Sequence, residues 1–73
     1  MFKVTVMTDG YMKHPVDAIL QERAKAAGGD CRTLLNGVSV TFEREADAET
    51  FHEVVLDHPK LKGKLANLSI GAA

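Results

Sequence analysis

The dipeptide Asn36-Gly37 stands between two short β-like runs, residues 31–35 and 38–43, and it constrains the chain more than any other local feature. Asn-Gly favours the type I′ turn, whose twist matches two antiparallel strands joined by a two-residue loop. A turn that tight sets Leu35 opposite Val38, Thr33 opposite Val40 and Cys31 opposite Phe42. Those side chains then share one sheet face, and Arg32, Leu34, Ser39 and Thr41 share the other.

A lone hairpin is marginal in water, so it needs further strands or a helix to pack on. The flanking sequence supplies both. Phe2, Val4 and Val6 alternate with Lys3, Thr5 and Met7, which predicts a strand over 2–8 closed by Asp9-Gly10. His14-Pro15-Val16-Asp17 reads as a helix start, with proline at the first helical position and a carboxylate in the first turn. Val16, Ile19, Leu20, Ala24 and Ala27 follow as one apolar stripe, and Gly28-Gly29 stops the helix. A second helix is predicted over 46–58, with Asp47 as N-cap, Glu49 behind it, and Ala48, Phe51, Val54, Val55 and His58 as its buried stripe. Pro59 ends it, and Lys60, Lys62 and Lys64 follow as a solubilising run that suits the helix dipole. Ala66, Leu68 and Ile70 alternate with Asn67 and Ser69 as a last strand, with Gly71-Ala72-Ala73 as a frayed tail.

The resulting order is β-α-β-β-α-β. At 73 residues that order resembles the ferredoxin-like arrangement, an α+β fold in which a four-stranded antiparallel sheet carries two helices on one face. A single domain over residues 1–73 is expected, because either half alone would be too small to build a core. The core is thin: the chain has three Phe, one Tyr and no Trp, and its single cysteine excludes an internal disulfide. Small domains of this kind gain stability by burying a further surface against another chain, so a homodimer or another protein partner is expected. The alternating start lacks the continuous apolar run of a signal peptide or membrane span, and the lone thiol suits a reducing compartment. A cytoplasmic protein without membrane association is therefore expected.

Two helices on one face leave the other face of the sheet open. The open face should carry Lys3, Thr5, Met7, Arg32, Leu34, Ser39, Thr41, Asn67 and Ser69. RNA-recognition domains of the same topology stack bases on aromatics of the two central strands. The outward residues here are Thr5, Met7, Ser39 and Thr41, with no aromatic among them, and the net charge is −1, so nucleic acid is not an expected partner. A protein contact fits better: Met7 and Leu34 are apolar, with Arg32 and Thr41 beside them. Glu43, Glu45, Asp47 and Glu49 cluster at the second helix start, without the apolar cover that separates carboxylate pKa values for acid–base chemistry. Glu45, Asp47 and Glu49 are therefore read as an acidic patch for a basic partner surface.

The 9–14 loop is the alternative site. It precedes a helix N-terminus, where free N–H groups attract anions, and Tyr11, Lys13 and His14 would add a hydroxyl and positive charge. His52 and His58 lie six apart, on different helical faces, and Cys31 is expected in the core, so no metal site is expected. Nothing in the sequence calls for a cofactor or names a catalytic residue. The expected function is a non-enzymatic protein-binding module that acts as an adaptor, regulator or inhibitor of a larger complex, like the short inhibitors of host machinery carried by phage and mobile elements. The alternatives are a dimeric α/β-barrel enzyme using His52, Tyr11 or Asp9, and an anion-binding protein using the 9–14 loop.

Overall fold

The computed structural model describes residues 1–10 and 16–72. Its elements are β1 (Phe2–Thr8), α1 (Val16–Ala26), β2 (Asp30–Leu34), β3 (Gly37–Phe42), α2 (Glu45–Asp57) and β4 (Leu65–Ala72). The strands form one sheet in the order β2-β3-β1-β4, and every neighbouring pair is antiparallel. Each helix thus links two strands with one other strand between them in the sheet, which is the ferredoxin-like α+β arrangement expected from the element order.

Alternation in β1 and β3 decides which face the helices cover. Val4 pairs with Val40 and Val6 with Val38, and all four are fully buried. They pack with Val16, Leu20 and Ala24 of α1 and with Ala48, Phe51 and Val55 of α2. Phe42 and Phe51 meet with ring centroids 5.5 Å apart at 43°, a tilted contact between sheet and helix. The intervening residues Lys3, Thr5, Met7, Ser39 and Thr41 have the opposite parity and lie on the uncovered face. Val54 and His58, predicted for the buried stripe of α2, are instead 38% exposed and half-buried, because they flank the centre of its core-facing stripe.

The structure corrects several local expectations. Leu34 pairs with Gly37, Thr33 with Val38 and Cys31 with Val40, so the loop is Leu35-Asn36 and each pairing is two residues off the predicted one. Because the shift is even, the face assignments survive. Leu35 itself sits in the turn, 73% exposed. Among the described residues no non-glycine residue has positive φ, and Gly37 is not among the glycines that do, so the turn is not type I′. Gly37 is required for another reason: a Cβ there would fall on the Val6 carbonyl oxygen of β1.

The α1 stop follows the prediction. Gly28 takes φ +80°, its N–H donates to the Lys25 carbonyl (3.1 Å), and the Gly29 N–H donates to the Ala24 carbonyl (2.9 Å), which is the paired pattern of a Schellman cap. The α2 start does not follow it. The helix begins at Glu45 with Arg44 as N-cap, which makes no side-chain cap hydrogen bond, and Asp47 lies inside the first turn. There its charge still complements the dipole.

Residues 60–64 are not purely a solvated run, because Leu61 is fully buried in the core. His58 organises this turn: its carbonyl accepts from the Leu61 (3.0 Å) and Lys62 (3.1 Å) N–H groups, and its Nδ1 accepts from the Lys60 N–H (3.2 Å). Gly71 and Ala72 are not a tail but strand residues, paired with Lys3 and Phe2. They are held because β1 begins early enough to offer them backbone partners.

Candidate protein-interaction surfaces

Registers across the four strands turn the uncovered face into rows. One row runs Arg32, Ser39, Thr5, Ser69, and the next runs Asp30, Thr41, Lys3, Gly71. The third runs Leu34, Gly37, Met7, Asn67. The face is therefore mostly small and hydroxylated, with cations at Arg32 and Lys3 and an anion at Asp30. Leu34 and Met7, both half-buried, stand on either side of Gly37, which is itself buried against the Val6 carbonyl of β1. Two half-buried apolar side chains with a guanidinium one row away are what this end of the sheet presents.

The helix layer lies on the other side of the molecule. Glu45, Asp47 and Glu49 are all exposed on α2, yet they do not form one patch with each other or with Arg32, Met7 and Leu34. Asp47 lines a groove at one end of the sheet with Thr41, Asp30, Gly28, Glu43 and Arg44. Glu45 and Glu49 line a second groove with Phe2, Ile70, Gly71 and Ala72 along β4. The separation follows from helical geometry: Glu45 and Glu49 are one turn apart on one side, and Asp47 points away from both. Thr41 joins the first groove because it sits at the end of β3 beside the α2 entry.

The loop candidates Tyr11, Lys13 and His14 lie outside the described residues. The base of that loop is firmly tied. The Thr8 backbone N–H donates to the Asn36 carbonyl (2.6 Å), and its buried hydroxyl has the carbonyls of Asn36 (2.8 Å) and Gly10 (3.0 Å) within reach. The Asp9 N–H donates to the Lys64 carbonyl at 3.3 Å. The β1–β4 register slips between Met7 and Thr8, because Thr8 pairs with Leu65 and Ala66 is the extra residue on β4.

Cys31 is half-buried and packs against the core rather than filling its centre, because β2 is an edge strand. Burial pushes its thiol pKa up, and the Asp30 carboxylate adds to the rise. That is opposite to the shift that makes a cysteine nucleophilic. Thr33, also on β2, receives a hydrogen bond from the Gln21 amide of α1 (3.4 Å), which confirms that this side of the strand faces the helices. His52 is half-buried on α2. Among the described residues no group of three His, Cys, Asp or Glu side chains comes together in a way that would hold a metal ion. No helix among them is long and apolar enough to cross a membrane.

The outer edge of β4 holds none of the residues predicted for a site. Its eight residues, LANLSIGA, contain no charge and no proline, a signal present in the sequence but without meaning until the strand is known to lie at an edge. Comparison with protein-family models, curated proteins and solved structures returned no match.

Proposed function

We propose that this chain is a non-enzymatic protein-binding module, an adaptor, regulator or inhibitor of a larger complex, that engages its partner with the uncovered sheet face. The observation that carries the proposal is the row Leu34, Gly37, Met7 with Arg32 in the adjoining row. Leu34 and Met7 offer an apolar contact for one apolar side chain of the partner, and the guanidinium suits a carboxylate beside it. Methionine adapts its shape to the partner. Glu45, Asp47 and Glu49, on the opposite layer, act in this scheme by steering a basic region of the complex rather than by contact beside Leu34 and Met7. A cytoplasmic setting belongs to the same proposal, supported by the single free thiol.

Site-specific photo-crosslinking tests it. A photoreactive residue at position 34, in extract of the source organism, should capture a discrete protein, and Arg32→Glu in the same chain should abolish the adduct. The same residue at position 25 of α1, on the helix layer, should not capture it. Equal capture from both positions, or an adduct indifferent to Arg32→Glu, would defeat the proposal.

A further inference from the structure

The two edges of the sheet are treated differently. Edge strand β2 is five residues long and carries Asp30 and Arg32, both exposed. Such charges are a common protection against pairing with another strand. Edge strand β4 is eight residues long, uncharged and free of proline. At about 3.3 Å per residue it extends roughly 26 Å, against a longest molecular dimension of 28 Å. It also has apolar side chains at its margin: Ile70 is 40% exposed, and Leu56 of α2 is 55% exposed. Leu56 follows Glu45 and Glu49 at helical spacings of eleven and seven, so it lies on the side of α2 that those residues turn toward β4.

The ends of this edge carry opposite charge. Glu45 and Glu49 line the groove beside Ile70, Gly71 and Ala72, at the C-terminal end of β4. Lys62 and Lys64, both exposed, immediately precede its N-terminal end at Leu65. A strand with an acidic end and a basic end is complementary to itself in one orientation only. Parallel pairing places acid on acid; antiparallel pairing about a two-fold axis places acid on base twice.

We propose that β4 is the pairing edge for a second copy of this chain, with the two β4 strands antiparallel in one continuous sheet and with Glu45 and Glu49 of each protomer facing Lys62 and Lys64 of the other. The backbone groups left free along β4 would then be paired, and Ile70 and Leu56 would be covered at the seam. The uncovered sheet face of the proposed function stays free on both protomers and would be presented in duplicate, while Glu45 and Glu49 are taken up at the seam and steering is left to Asp47.

Sedimentation equilibrium over a concentration series, combined with amide hydrogen exchange, tests the proposal. A monomer–dimer equilibrium is expected, weakening as salt rises, with exchange along residues 65–72 slowing as concentration increases. The double variant Lys62→Glu/Lys64→Glu should weaken dimerisation by about tenfold, as should Glu45→Lys/Glu49→Lys; combining all four changes should restore it. Every substituted residue is exposed, and circular dichroism verifies that each variant is folded. A chain that stays monomeric at millimolar concentration overturns the proposal. So does a dimer whose β4 amides exchange as in the monomer, or one indifferent to the charge reversals. Pairing of β4 with a foreign strand in place of a second copy would appear as the first of these.

Discussion

Gly37→Ala is the sharpest single perturbation of this fold. Position 37 pairs with Met7 of β1 and Leu34 of β2. A Cβ there would overlap the Val6 carbonyl oxygen, with the Val6 carbonyl carbon 2.9 Å away and the Met7 Cα 3.0 Å away. All three are backbone atoms of a central strand, so no rotamer change relieves the clash; β1 or β3 must move. Forced backbone shifts in a packed interior cost about 1–3 kcal/mol. The restricted unfolded chain returns roughly 0.4–1 kcal/mol. A net loss of about 1.3 kcal/mol is expected, which for a domain this small lowers Tm by roughly 5–10 °C. Thermal unfolding followed by circular dichroism measures it, with Gly71→Ala as control. At Gly71 nothing lies within 4 Å of the added Cβ, so that variant should melt near the parent. Asn36→Ala separates this account from a type I′ turn, which would need Asn36 in the left-handed region. With Asn36 at ordinary φ and its carbonyl bonded to Thr8, the alanine variant should lose little. Gly37→Ala within about 0.5 kcal/mol of the parent would refute the close-approach argument.

Leu61→Ala should destabilise by about 2–5 kcal/mol in a denaturant titration, because a fully buried side chain is removed from a core that includes Phe51 and Val55. An exposed neighbour such as Lys62→Ala should change stability by less than about 0.5 kcal/mol. Native Cys31 should alkylate more slowly than the urea-unfolded chain at about pH 8, since burial and the Asp30 carboxylate both hold its thiol protonated. The sign of the linkage follows. The folded thiol pKa lies above the unfolded one, so the small stability associated with it is whole below the unfolded thiol range and is lost as pH rises through the folded value. Faster native alkylation, or stability rising over that interval, would contradict the environment assigned to Cys31.

Much of the fold was legible because its signals are local. Alternation in 2–8 and the two helical stripes each follow from the period of one element; the structure buries Val16, Leu20, Ala24, Ala48, Phe51 and Val55, leaves Ile19, Ala27 and His58 half-buried, and exposes Val54. The Gly28-Gly29 stop is equally local, since positive φ and the paired cap bonds involve only one helix end. Where several causes compete for one residue, sequence reading went astray. Asn36-Gly37 marked the right hairpin with the wrong turn, because the glycine answers to β1, thirty positions away in the chain. Leu61 was hidden among lysines whose spacing suggested only charge.

The candidate surfaces divide the same way. That Met7, Arg32, Leu34 and Thr41 share a face follows from strand parity, which survives even a two-residue register error. That Glu45 and Glu49 belong with Ile70 while Asp47 belongs with Thr41 depends on where α2 lies over the sheet. Sequence by itself determined the elements, their order and their two faces, because periodicity is written within each segment. Only tertiary structure decided that an uncharged segment near the chain's end is an edge strand with acid at one end and base at the other. Neighbourhood across a sheet is set by packing among distant segments, and no local pattern encodes it.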